Sequence, residues 1–275
     1  MRRTLTATGL VVAAGILAPA AAPATPDLGP RIVGGDLADP ADWRAITPLL
    51  AFGTDDAVGT QFCAGTVVGA EWVLTAAHCA EDFEADELHV APGAVTLSDL
   101  QPGDQVPVAE IRVHPDYDPS AEEFDAARLR LANPTDAPPM MMTAEAPPAD
   151  TPVEVAGWGV LTHGGAVTVD RLRSVAVSIV GSAACTGAYG SSYLAGSMLC
   201  AGTAGVDSCQ GDSGGPLADG PSDARRLLGI VSWGAGCALP GYPGVYTRVS
   251  AVKAWALDEM AESLSPPSPP VAPPT

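Results

Sequence analysis

The sequence predicts an all-β fold, a barrel or a sandwich, that ends in one helix. Short runs rich in β-branched residues recur up to residue 264, and clusters of Gly, Pro and Asp separate them. Helical periodicity stands out only once, near the C-terminus. In chain order the predicted strands are 66–68, 73–75, 106–113, 153–156, 174–180 and 227–232. Branched side chains suit the pleated, half-buried surface of a sheet. The predicted helix covers 250–264, with Ser250 as its cap and Val252, Ala256, Leu257 and Met260 at helical spacing. There is no internal repeat at a fixed period.

The chain has 275 residues, 47% of them apolar, which is enough for one large domain or two small ones with a sizeable core. The formal net charge is -19, and the acidic residues are spread along the chain. That balance excludes nucleic acid as a partner, because neutralising phosphate needs a basic face. It reads as a solvated acidic surface with little attraction to anionic membranes.

Residues 1–24 read as a signal peptide. Arg2 and Arg3 give a positive start, an apolar stretch over 10–17 is short for a membrane span, and small residues follow. Ala20, Ala22 or Ala24 each suits the last residue removed. The expected location is therefore secreted and extracellular. Export agrees with six cysteines, Cys63, Cys79, Cys185, Cys200, Cys209 and Cys237, an even count that reads as disulfides whose pairing composition alone leaves open. No pair has the Cys-x-x-Cys spacing of a zinc site. Residues 265–275, mostly Pro and Ser, are expected to form an extended or disordered tail.

Three segments carry chemistry: Thr75-Ala76-Ala77-His78-Cys79, Phe124-Asp125-Ala126-Ala127 and Gly211-Asp212-Ser213-Gly214-Gly215-Pro216. A serine hydroxyl attacks a carbonyl only if a base takes its proton, and neutral imidazole is that base. A carboxylate then fixes the imidazole tautomer and stabilises the imidazolium. The Gly-rich turn around Ser213 can present backbone N–H groups to a developing oxyanion.

With these segments in this order, the sequence resembles the trypsin/chymotrypsin family of serine proteases, in its trypsin branch, over 32–264. The resemblance implies two packed six-stranded antiparallel β-barrels with a C-terminal helix. His78 and Asp125 would come from the first half and Ser213 from the second. It implies His78 as general base and then acid, Asp125 as its orienting partner, Ser213 as nucleophile, and the N–H groups of Gly211 and Ser213 as the oxyanion hole. It also implies activation by cleavage after Arg31. Residues 25–31 would be the propeptide, and the freed α-amino group of Ile32 would pair with Asp212.

The implied bridges are Cys63–Cys79, Cys185–Cys200 and Cys209–Cys237, each contributing roughly 3 kcal/mol by loop entropy. In the pocket, the resemblance puts Asp207 at the floor, Ser208 beside it, and Gly234 and Gly244 on the walls. Tyr189 and Tyr246 would support the pocket, and Ser232-Trp233-Gly234 would form the edge that bonds the substrate backbone. Asp207 implies cleavage after Arg or Lys. The implied partners are protein or peptide substrates and proteinaceous inhibitors, acting on a monomer with no cofactor, no metal and no membrane attachment. Glu84, Asp86 and Glu87 read as solvated acids.

Two departures stand out. Arg128 follows Asp125 where the family favours Leu, and it is expected either to reach solvent or to meet an acid. Glu122 is expected to flank the site for the substrate residue before the scissile one. The Ala-rich, Lys-poor composition resembles bacterial secreted trypsins. The rival reading is a homologue that has lost catalysis and binds a partner. Such homologues lose Ser, His or Asp, and none is lost here.

Overall fold

The computed structural model describes residues 35–262, except 54, 162–164, 166–167 and 204. The expected signal peptide, propeptide, Arg31, Ile32 and the tail 265–275 lie outside the described residues.

The first half forms a closed antiparallel barrel of six strands. They are β1 Ile46–Ala51, β2 Gln61–Gly69, β3 Trp72–Thr75, β4 Leu88–Val90, β5 Val106–Val113 and β6 Ala127–Leu131. Around the barrel the order is β1-β2-β3-β6-β5-β4, with β4 closing on β1. The second half supplies β7 Pro152–Gly157, β8 Arg173–Val180, β9 Met198–Gly202, β10 Pro216–Asp219, β11 Arg226–Trp233 and β12 Gly244–Arg248. Its order is β7-β8-β9-β12-β11-β10, with β10 closing on β7. The two barrels therefore share one connectivity, although the sequence carries no repeat. Two-residue strands add to the second barrel: Asp36–Leu37 pairs with β8, and Met141–Met142 runs parallel to β11.

Two burial patterns occur among the strands: β1, β3 and β11 are buried almost throughout, whereas β8 alternates. Along β8, Val175, Val177 and Ile179 are buried and Ala176 is exposed, so one face fills the barrel and the other meets solvent. Val153, Val155, Leu199, Leu217 and Leu228 complete that core. The first barrel is filled by Ile46, Leu49, Val67, Val73, Leu129 and their neighbours.

The helices depart from expectation. The C-terminal helix, α2, spans Val249–Glu262, so Ser250 lies inside its first turn instead of capping it. Val252 and Ala256 are buried as predicted, but Leu257 is 41% exposed. A second helix, α1 Ser182–Tyr189, was not expected. Its sequence is short and mostly polar or small, with Cys185 the buried residue, and Gly190 ends it at a φ of 60°. A bridge from Cys185 to Cys200 ties it to β9, and the other bridges are Cys63–Cys79 and Cys209–Cys237.

Arg128, on β6, does not reach solvent. Its guanidinium lies over the rings of Trp255, 4.4 Å from the centroid, and Trp72, at 5.6 Å. One terminal nitrogen, Nη1, donates to the carbonyls of Trp255 at 3.0 Å and Ala256 at 3.2 Å. Two indole faces and two helix carbonyls thus receive a cation that would be costly to bury alone.

Candidate active site

Asp125 lies just before β6 and is fully buried, and two hydroxyls of the other barrel help to hold it. The Thr247 hydroxyl on β12 donates to the Asp125 backbone carbonyl at 2.6 Å, and the Ser232 hydroxyl on β11 donates to Oδ2 at 2.5 Å. The chain reaches Asp125 through Glu122 and Phe124, each at a φ of 50°. That left-handed backbone is strained for side chains of this size. The Phe124 ring stacks on His114 with centroids 4.9 Å apart, which holds the segment in place.

His78 sits in the 3₁₀ turn Ala77–Cys79 after β3. Its backbone N–H donates to Asp125 Oδ1 at 3.0 Å, and its Nδ1 lies 2.8 Å from Oδ2. An ionised carboxylate only accepts, so Nδ1 carries the proton and Nε2 keeps its lone pair. Burial pulls the imidazole pKa down, but the hydrogen bond and charge of Asp125, helped by Glu122 and Glu81, more than offset it. The pKa ends above the usual 6.5. Glu122 is itself pushed up, by burial and by the charge of Asp125.

The turn from Gly211 to Gly215 needs its glycines. Gly211 has a φ of 92° and Gly214 of 79°. A side chain at Gly214 would collide with the Thr75 hydroxyl and the Ala64 carbonyl. The Ala64 N–H donates to the Ser213 carbonyl at 2.7 Å, and Gly214 N–H donates to Val231 at 2.8 Å. Among the described residues no acceptor meets the N–H groups of Gly211 and Ser213, and no hydrogen bond joins Ser213 Oγ to His78 Nε2. That nitrogen lies 3.6 Å from Cys79 Sγ. Such bonds commonly tighten only when substrate is bound.

Asp212 is fully buried. Its carboxylate accepts from the Gly159 N–H at 2.7 Å and the Cys209 N–H at 2.9 Å. Burial nevertheless pushes its pKa up to about 7. A Cβ on Gly157 or Gly159 would strike this carboxylate, so both glycines belong to the site, and the motifs did not mark them.

Beside Ser213 opens a cavity of about 90 Å³, lined among others by Asp207, Ser208, Trp233, Gly234 and Gly244. Asp207 accepts from the Ser208 N–H at 2.8 Å and the Ala238 N–H at 3.2 Å, and burial pushes its pKa up to about 6. A Cβ at Gly244 would come within 2.8 Å of Asp207 Oδ1, so a side chain there would close the carboxylate off. Tyr246 reaches the Ser208 hydroxyl at 3.4 Å, while Tyr189 donates to the Pro243 carbonyl at 2.7 Å and packs edge-on against Trp233.

Among the described residues one close grouping has metal-ligand atoms, Cys63, His78 and Cys79, and both sulfurs are joined in a disulfide.

Residues 32–256 match the family model described as Trypsin. The chain belongs to the trypsin family. Human Serine protease 56 is 40% identical over 249 residues, covering 86% of this chain and 40% of that protein. The chain thus spans about two fifths of that longer relative. Hypodermin-B of Hypoderma lineatum is 36% identical over 93% of this chain and 94% of its own length. A trypsin of Saccharopolyspora erythraea is 38% identical over 80% of this chain and 94% of its own. The organisms are mixed, so the compositional likeness to bacterial secreted trypsins is not singled out. No helix of this trypsin-family chain, among the described residues, is long and apolar enough to cross a membrane.

Besides Gly157 and Gly159, the sequence did not reveal Thr247 and Gln61 as parts of the trypsin-family site, nor how Ser232 and Phe124 support Asp125. The Thr247 and Ser232 hydroxyls on Asp125 act across 122 and 107 residues of sequence, and the Gln61 amide reaches Gly211 across 150. Phe124 matters through its stack on His114.

Proposed function

We propose that this chain is a secreted endopeptidase that hydrolyses peptide bonds after Arg or Lys through an acyl-enzyme. The observation that carries the proposal is the paired arrangement of His78 on Asp125 and of Ser213 beside a pocket holding the buried Asp207 carboxylate. A substrate guanidinium or ammonium would pair with Asp207, which among the described residues is buried with N–H partners and no cation. Ser213 Oγ attacks the scissile carbonyl while His78 Nε2 takes its proton, and the N–H groups of Gly211 and Ser213 receive the oxyanion. The imidazolium, held by Asp125, returns the proton to the leaving amine. Water repeats the sequence on the acyl-enzyme and releases the acid.

In this reading the chain is made as a precursor. Cleavage after Arg31 frees the Ile32 α-amino group to pair with Asp212, whose burial with no cation beside it among the described residues supports the idea. Arg31 suits the Asp207 pocket, so self-activation follows. The substrates are proteins or peptides, proteinaceous inhibitors are candidate partners, and the protein acts as a monomer outside the cell.

The test is hydrolysis of a peptide anilide ending in Arg, before and after cleavage at Arg31, with Ser213→Ala as control. Turnover that appears only after cleavage and vanishes in the variant supports triad, pocket and activation together. A folded, cleaved protein that neither turns over the anilide nor reacts with an organophosphonate at Ser213 would leave the binding-protein reading.

A further inference from the structure

We infer that Gln61 is a positioning residue for the oxyanion turn, its side-chain amide holding the Gly211 carbonyl so that the Gly211 N–H faces the reacting carbonyl. The inference rests on the hydrolase reading above. Gln61 opens β2 in the first barrel and is 5% exposed. Its Nε2 donates to the Gly211 carbonyl at 2.9 Å and to the Cys63 carbonyl at 3.0 Å. Its Oε1 is buried with no hydrogen-bond partner among the described residues. An orphaned acceptor is unfavourable, so the two donated bonds are what the side chain gains in this place.

The turn is a stack of peptide planes, two held at both edges and the two that carry the Gly211 and Ser213 N–H groups held at the oxygen alone. Gly211 C=O and Asp212 N–H share one plane: Gln61 holds its oxygen, and its N–H donates to the Cys209 carbonyl at 3.0 Å. Ser213 C=O and Gly214 N–H share another, held by the Ala64 N–H and the Val231 carbonyl. The plane that carries the Gly211 N–H is held at the Gln210 oxygen by the Val160 N–H at 2.8 Å.

Both Gly211 and Ser213 carbonyls are therefore drawn toward β2, and their N–H groups are left on the open side. Among these holders Gln61 is the side chain, and it grips the residue with the greatest freedom, a glycine at a φ of 92°. It also makes the electrophile-binding turn of one half depend on a strand of the other.

The test compares Gln61→Met, of similar shape without the N–H donors, and Gln61→Glu, which turns a carboxylate on two carbonyls. Active sites are counted by organophosphonate labelling carried to completion. The expected result for Gln61→Met is a kcat lower by about ten-fold or more, with KM changed by less than about two-fold, as for loss of an interaction made in the transition state. Affinity for a peptide aldehyde, which places an oxyanion in the turn, falls in parallel, while benzamidine binding at Asp207 is unchanged. Gln61→Glu falls further and gives the readout if Met is not accommodated.

Unchanged kcat in Gln61→Met overturns the inference, and so does a matching loss of benzamidine and aldehyde affinity, which marks general loosening. A wild-type protein inert to both anilide and organophosphonate overturns the hydrolase reading and takes the inference with it. Labelling of wild type with equal rates in the variants overturns the inference alone.

Discussion

Ser232 Oγ stands 2.5 Å from Asp125 Oδ2, the same oxygen that meets His78 Nδ1 at 2.8 Å. One carboxylate oxygen thus divides its charge between a hydroxyl and the imidazole. In Ser232→Ala the whole of that charge faces the ring, which favours imidazolium and raises the His78 pKa further. The acid limb of kcat/KM should move to higher pH, with a modest loss of rate at the plateau. An acid limb that stays in place would show that the hydroxyl does not tune the base. Asp125→Asn, which spoils the tautomer, should lower kcat by about 10⁴.

In the unmodified protein, the proposed hydrolysis needs neutral imidazole. The raised His78 pKa therefore sets half-maximal kcat/KM above pH 6.5, the ordinary imidazole value. A pH–rate profile with small peptide substrates checks this, and a midpoint below 6.5 would contradict the Asp125 geometry.

Asp207 gives a second pH dependence, carried by binding. With the pocket empty its carboxyl titrates at about 6. A cation needs the ionised form, so benzamidine affinity should be level above that pH and weaken by up to ten-fold per unit below it. Asp207→Asn should lower kcat/KM for Arg substrates by roughly 10⁴, since the site would then bury a guanidinium without its partner. Retained Arg preference in that variant would remove Asp207 from the specificity argument.

Asp212 links pH to stability. Its folded pKa of about 7 stands above the ordinary 3.8, so the fold holds this proton more tightly than the unfolded chain does. The stabilisation is complete below the unfolded value and is lost as pH rises through about 7. An ammonium delivered by Ile32 favours the ionised form and reverses the loss. Cleavage after Arg31 should therefore raise Tm clearly at pH 8 and little at pH 4. An equal rise at both would argue against the Ile32–Asp212 pair.

Arg128→Ala should destabilise the protein by about 2–4 kcal/mol, through a cavity between Trp72 and Trp255 and two helix carbonyls left without their donor. Turnover per folded molecule should stay near that of wild type, because Arg128 touches neither His78 nor Ser213. Denaturant titration with active-site counting separates the two quantities.

Much of this was legible in the sequence wherever a signal is local. The alternation in β8 marks a strand because one side chain in two is buried, and β11 reads as a strand from a short run buried on both faces. The segments around His78, Asp125 and Ser213 carry their chemistry in adjacent residues. The shared connectivity of the two barrels was hidden, because it resides in which strands pair and the residues filling each barrel differ. Helix α1 was hidden because an octapeptide of mostly small residues with one buried side chain has no apolar stripe. Ser232, Thr247 and Gln61 were silent for a third reason: a hydroxyl or amide acquires its role only when distant chain brings it an acceptor. Arg128 looked like a defect beside Asp125 because its aromatic receivers lie elsewhere in the sequence.

The grip of Arg128 on α2 also governs how the two halves can move. That helix leaves the second barrel directly from β12, yet its carbonyls and Trp255 are held by the first barrel, and Lys253 donates to the Met142 carbonyl in the segment between the barrels. The chain end thus works as a strap buckled across the seam. Prising the barrels apart would drag an indole off a guanidinium and free two carbonyls at once. Any opening of the cleft between them thus works against the contacts of this strap.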